Sequence, residues 1–266
     1  MSIGTAIILV TVIGLIGAVI LVLAAKFMSV YEDPRVGEVN ECLPGANCGG
    51  CGYAGCADYA KAIVESGAPV NKCAVGGADC AAAIAAVMGV EAGSSVKTAA
   101  VVGCKGAAGV CKQKFEYQGI QTCAAAKAVQ GGPNACSFGC LGLGDCTRAC
   151  KFDAIHVVDG LAVVDDAQCV GCGACADVCP QHIIHLNTAK AAKKPVVLCH
   201  NQEKGAAVMK ECTAGCIGCG LCMKNCPEGA IKVENFLAHI DYDKCTGCNT
   251  CVDKCPKHII IKGEDL

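Results

Sequence analysis

Cysteine dominates the chemistry this chain can do. Of its 266 residues 27 are cysteine, and three segments, 169–180, 216–227 and 245–256, each read C-x2-C-x2-C-x3-C-P. Three thiolates on one tight turn can hold three irons of a cubane, while the fourth cysteine is carried away to ligate the other cluster of a pair. Zinc also uses C-x2-C, but it needs two such pairs at separated positions and gains nothing from the third and fourth cysteines of each run. Cysteine at this density usually marks a small secreted disulfide scaffold. This chain is long enough to bury an ordinary core without staples, and its odd thiol count argues against full pairing. A further constellation, Cys48-x2-Cys51-x4-Cys56-x16-Cys73, supplies four more thiolates. Gly49, Gly50, Gly52 and Gly55 let backbone N–H groups turn toward cluster sulfurs. A zinc knuckle is the competing reading of this last spacing.

The elements that must position these thiols come as a repeat. A shift of 76 positions places Cys123, Cys136, Cys140, Cys146, Cys150, Cys169, Cys172, Cys175 and Cys179 on Cys199, Cys212, Cys216, Cys222, Cys226, Cys245, Cys248, Cys251 and Cys255. Ala154-Ile155 falls on Ala230-Ile231, and Asp165 on Asp241. Cys219 has Leu143 as its counterpart, and there the match breaks. Two tandem copies of one module account for this register. Within each copy short β-branched runs flank a turn: 155–158 and 161–164 around Asp159-Gly160, a type I′ hairpin signal, and 231–234 and 237–240 around Asn235. Helices are expected from Cys56 through Glu65 and from Asp79 to Val87.

The second module, 212–262, resembles the bacterial two-cluster ferredoxins. The resemblance implies that Cys216, Cys219 and Cys222 join Cys255 on one cluster, and that Cys245, Cys248 and Cys251 join Cys226 on the other. The first module, 136–186, departs from that pattern, with Leu143 for the middle cysteine and Lys151 for the proline. Cys136 is the expected replacement ligand beside Cys140, Cys146 and Cys179, in a three-iron centre or an altered cubane. Cys169, Cys172 and Cys175 are then expected to pair with Cys150.

Residues 3–25 carry no charged side chain. As a helix they extend roughly 34 Å, enough for a hydrocarbon core of about 30 Å. A cleaved signal peptide is disfavoured, because basic residues follow the run rather than precede it. The expectation is a single-pass anchor in a cell membrane. Lys26 and Arg35 just after it place the iron–sulfur body on the cytoplasmic side, where thiols stay reduced. Gly4, Gly14 and Gly17 offer close-packing surfaces for partner helices.

Taken together, the N-terminal helix, the sequence Cys48-Gly-Gly-Cys-Gly-Tyr-Ala-Gly-Cys56 and tandem ferredoxin units containing Cys140-Leu-Gly-Leu-Gly-Asp-Cys146 resemble the B subunit of the Rnf electron-transport complexes. The resemblance implies an electron-input arm of an ion-translocating ferredoxin:NAD oxidoreductase, taking electrons from reduced ferredoxin toward NAD reduction coupled to Na⁺ or H⁺ export. A polyferredoxin component of another membrane oxidoreductase, such as a hydrogenase or quinone reductase, is the alternative. The expected fold class is α+β: a transmembrane helix (1–27), a small helical 4Fe-4S domain (28–98) and two tandem ferredoxin-like 2[4Fe-4S] modules (99–190 and 191–266). The expected partners are other subunits of a membrane complex, soluble ferredoxin and membrane lipid.

About five [4Fe-4S] clusters use twenty cysteines and leave Cys42, Cys80, Cys104, Cys111, Cys123, Cys199 and Cys212. Cys104, Cys111 and Cys123 are candidates for a sixth cluster, for which no fourth ligand is evident. The competing reading of each of the seven is a small buried hydrophobe, with Cys123 and Cys199 packed equivalently beside a cluster and Cys212 a spare ligand near one. His182 and His258 are candidate hydrogen-bond donors to a cluster, but read rather as exposed polar positions on short helices. Lys190, Lys193 and Lys194, with Lys244, Lys254, Lys257 and Lys262, are a linker or a docking patch for an acidic ferredoxin. A formal charge of −2 argues against a nucleic-acid binder. No Walker A loop, no G-x-G-x-x-G in strand–helix context and no Ser/His/Asp arrangement is readable, so neither nucleotide, flavin nor covalent substrate chemistry is expected of this chain.

Overall fold

The computed structural model describes residues 3–27, 33–93, 97–188 and 192–266. Lys190 and the expected boundary at 190/191 lie outside the described residues. Helix α1 spans Ile3–Phe27. Among the described residues, however, no helix is long and apolar enough to cross a membrane. The expected transmembrane helix at 1–27 and the single-pass cell-membrane location are corrected on this ground.

Three helices form the next unit: α2 (Pro34–Cys42), α3 (Cys56–Ser66) and α4 (Gly77–Met88). Asp33 caps α2 by accepting from the Arg35 N–H at 2.9 Å, with proline in the first turn. Gly67 and Gly89 close α3 and α4 in the left-handed conformation. Val39, Tyr59, Ile63 and Ile84 are almost fully buried where the three helices meet. The Tyr59 hydroxyl donates to the Pro69 carbonyl at 2.6 Å and accepts from the Lys72 N–H at 3.1 Å. A buried aromatic thereby ties down the loop that delivers Cys73.

The first repeat comprises β1 (Ala99–Val102), α5 (Cys123–Ala128), α6 (Asp145–Ala149), β2 (Ile155–Val158), β3 (Leu161–Val164), α7 (Ala174–Asp177) and β4 (Ile184–Asn187). The second comprises β5 (Val196–Val197), α8 (Gly205–Glu211), α9 (Leu221–Lys224), β6 (Ile231–Glu234), β7 (Leu237–Ile240), α10 (Thr250–Lys254) and β8 (Ile260–Ile261). In each, the first and last strands pair antiparallel (β1 with β4, β5 with β8) and close the module around a central hairpin (β2–β3, β6–β7). Val158 pairs with Leu161 across Asp159 (φ 48°) and Gly160 (φ 72°), the two positive φ values of the expected type I′ turn. Asn235 (φ 49°) and Phe236 (φ 61°) turn the second hairpin in the same way. The apolar cores are small, and cysteines make up much of each.

A seam joins the repeats. The Lys112 N–H donates to the Glu211 carbonyl at 2.8 Å and the Thr213 N–H to the Val110 carbonyl at 3.0 Å, with Cys111 bridged antiparallel to Cys212. Val101, Val196 and Leu198 pack across it.

Candidate metal centres

In the second repeat Cys216, Cys219, Cys222 and Cys255 line one small apolar cavity. Gly218 (φ 64°) turns the loop so that Cys222 enters the first turn of α9, and Cys255 ends α10. This is how the fourth thiol of one run reaches the three of another. Cys251 lies inside α10 with Cys245 and Cys248 close enough to act on it electrostatically, and Cys226 packs into the same core. Burial first, then the neighbouring thiols, pushes Cys222 up to about 11 and Cys251 up to about 12. Grouped thiolates in such desolvated places need a cationic centre among them.

In the first repeat Cys150, Cys169, Cys172 and Cys175 line an equivalent cavity. The Ala100 N–H donates to Cys169 Sγ and the Ala154 N–H to Cys150 Sγ, both at 3.4 Å. The remaining cavity is lined by Cys140, Cys146 and Cys179 with Cys123. The structure does not bring Cys136 into this group. Thr122 caps α5 by accepting from Ala125 N–H at 3.2 Å, and Asp145 accepts from the Ala124 N–H at 3.1 Å. Lys127 donates to the Pro180 carbonyl. These contacts hold α5 against the loop where Leu143 stands in place of a cysteine, and the Cys123 thiol lines the cavity there. The recurrence of Cys123 at Cys199 was the available sequence signal, but it points equally to packing.

In the N-terminal unit Cys48, Cys51 and Cys56 all act electrostatically on Cys73, whose Sγ accepts the Gly76 N–H at 3.3 Å. The Asn47 side-chain oxygen accepts the Cys56 N–H at 2.8 Å. Cys80 hydrogen-bonds Cys73 and is buried outside the loop motif. This unit docks on the first repeat. A Cβ on Gly50 would lie 2.5 Å from the Cys172 carbonyl oxygen, Cys48 acts electrostatically on Cys172, and Lys151 Nζ donates to the Asn47 carbonyl at 2.9 Å. Lys151 therefore has a positive use at the position where proline is absent.

Among the described residues no group of three or more His, Cys, Asp or Glu side chains is close enough to hold a single metal ion. Thiolates on one zinc ion, each about 2.3 Å from the metal, would sit within about 4 Å of one another. Thiolates on separate irons of a cubane stand farther apart. The N–H donors aimed at sulfur fit the same group, since such bonds tune cluster sulfurs.

Cys104 and Cys111 lie in a separate cavity with Cys136, Cys199 and Cys212. His182 (φ 53°) and His258 (φ 49°) are exposed, but in left-handed turns rather than on helices. Lys244 pairs with Asp241 at 3.4 Å and Lys262 with Glu264 at 3.9 Å.

Comparison with known proteins agrees with this chemistry. Residues 43–75 match the family model described as "Putative Fe-S cluster", and residues 168–230 and 215–259 match that of the "4Fe-4S dicluster domain". The chain is 50% identical over 234 residues to the B subunit of the Na(+)-translocating ferredoxin:NAD(+) oxidoreductase complex of Acetobacterium woodii, covering 88% of this chain and 70% of that one. It is 44% identical over 233 residues to the B subunit of the ion-translocating oxidoreductase complex of Methanosarcina acetivorans, covering 87% and 88%. It is 41% identical over 233 residues to the B subunit of the proton-translocating ferredoxin:NAD(+) oxidoreductase complex of Clostridium ljungdahlii, covering 87% and 81%. The chain therefore belongs to the B-subunit family of the Rnf-type ion-translocating oxidoreductase complexes, as one component of a multi-subunit enzyme.

Proposed function

We propose that this chain relays single electrons from reduced ferredoxin toward the subunits of an Rnf-type complex that reduce NAD. The relatives' names supply the donor and acceptor. The relay uses five [4Fe-4S] sites: Cys48, Cys51, Cys56 and Cys73; Cys150, Cys169, Cys172 and Cys175; Cys123, Cys140, Cys146 and Cys179; Cys216, Cys219, Cys222 and Cys255; and Cys226, Cys245, Cys248 and Cys251. When bound, a cluster takes up and gives out one electron without breaking bonds. The chain's own residues set spacing, burial and N–H···S bonding. The observation that carries the reading is the backbone contact between Gly50 and Cys172, because it puts two thiol-bearing loops of different units against each other. The direction we assign is from the ferredoxin-like repeats to the N-terminal unit.

The test is iron and acid-labile sulfide quantitation on anaerobically prepared full chain, with EPR after dithionite reduction. About four irons and four sulfides per site and a reduced-cluster spectrum are expected. Colourless protein, or zinc without sulfide, overturns the reading.

A further inference from the structure

Five cysteines remain grouped outside these sites. Cys104, Cys111, Cys136, Cys199 and Cys212 line a cavity on the seam between the repeats, with ≈ 400 Å³ of space between atoms, open solvent included. The three cavities lined by four thiols each measure ≈ 370, ≈ 350 and ≈ 330 Å³. We infer that Cys104, Cys136, Cys199 and Cys212 form a further [4Fe-4S] site that bridges the two repeats, with Cys111 beside it. This inference rests on the reading that the grouped thiols hold clusters.

Three independent features support it. The first is the donor pattern. Cys104 Sγ accepts the Gly106 N–H at 3.3 Å and the Cys140 N–H at 3.5 Å, and Cys199 Sγ accepts the Cys216 N–H at 3.3 Å. Cys136 Sγ accepts Asn201 Nδ2 at 3.3 Å, and Asn201 is only 2% exposed. Buried N–H groups aimed at sulfur also mark Cys150, Cys169 and Cys73 in the other sites. A buried amide committed to a thiol makes sense where that sulfur carries negative charge.

The second is the repeat arithmetic. Cys136 and Cys212 are counterparts under the 76-residue shift, so the site takes the same thiol from both copies. Cys199 is the counterpart of Cys123, but Cys219 already completes its own cavity, so Cys199 can turn to the seam. The third is access to the right number of ligands. Cys111 Sγ faces the Lys112 carbonyl at 3.6 Å, an acceptor that suits a thiol, whereas Cys104, Cys136 and Cys199 accept N–H groups and Cys212 is the repeat counterpart of Cys136. Four sulfurs are thereby distinguished from a fifth.

Native mass spectrometry of the anaerobic full chain, with iron and sulfide counts, tests the proposal. Six cubanes, roughly 24 irons, are expected for the unaltered chain. The double variant Cys136→Ala/Cys212→Ala is expected to lose one cubane, about a sixth of the iron, while Cys111→Ala keeps all six. The count on the unaltered chain stands even if the double variant fails to fold. Five cubanes in the unaltered chain, five cubanes plus one zinc, or a double variant that keeps six overturns the proposal and leaves the five-site reading intact. Absence of any cubane removes both.

Discussion

The docking of the N-terminal unit on the first repeat turns on the missing side chain of Gly50. Replacing it with alanine sets a methyl group 2.5 Å from the Cys172 carbonyl oxygen and 3.0 Å from the Cys172 Cα. Ordinary contact begins at 3.4 Å, so the loops must separate by about 0.9 Å. The obstacle is backbone on a cysteine-bearing turn and cannot swing aside like a side chain. Overpacking of this kind costs about 1–3 kcal/mol. Imposed on the docked arrangement, that lowers its equilibrium constant about 5- to 150-fold. The Lys151–Asn47 hydrogen bond at 2.9 Å is exposed and offsets little of this. The assay is EPR of the dithionite-reduced chain. Magnetic coupling between the Cys48–Cys73 centre and the Cys169–Cys175 centre broadens both signals when the units are docked, and Gly50→Ala should sharpen them at unchanged iron content. Gly37→Ala, a position in α2 with nothing within 4 Å and no left-handed φ, serves as control. Unchanged broadening in Gly50→Ala refutes the docking account.

Four further outcomes are expected. Cys123→Ala removes one cubane or leaves a three-iron centre by EPR, while Cys136→Ala leaves that centre's signal unaltered; the opposite pattern restores Cys136 as its ligand. Gly142→Ala combines a left-handed φ of 71° with a Cβ 2.5 Å from the Gly160 carbonyl oxygen. It should destabilise the first repeat by about 2–5 kcal/mol, seen in thermal melts of the loaded chain. In chain stripped of metal, burial raises Cys104, Cys175 and Cys251 to about 12 from an ordinary 9.0. Thiols raised on folding stabilise fully below pH ~9 and lose that contribution as pH climbs toward ~12. Urea melts of the stripped chain should therefore weaken from pH 8 to pH 10.5, and equal or greater stability at the higher pH contradicts this. Asn201→Leu removes the amide that stabilises negative charge on Cys136. It should make one EPR-monitored potential more negative and spare the others.

Much of this was legible in the residues. The 76-residue register gave both modules, Asp159-Gly160 and Asn235 gave both hairpins, and the periodicity around Cys56 and Asp79 gave α3 and α4 to within two residues. Local chemistry decides such features, so local sequence reveals them. What stayed hidden was long-range. Cys123 joins Cys140, Cys146 and Cys179 in one cavity because Thr122, Asp145 and Pro180 hold α5 in place, and no spacing rule encodes a helix docking across the chain. Cys104, Cys136, Cys199 and Cys212 span more than a hundred residues and meet only once the seam is built. The length of an apolar run also misled: residues 3–25 suggested a spanning helix, and among the described residues none qualifies.

The exchange of roles between Cys123 and Cys199 has an evolutionary corollary. A tandem duplication begins with two interchangeable halves. Here one half has Leu143 where its twin has Cys219 and lines that cavity with Cys123, while the twin's Cys199 lines the junction. A chimera built from two copies of the first half, or two of the second, would have the right length and the wrong wiring. The divergence of the halves is thus what makes their order in the chain irreversible.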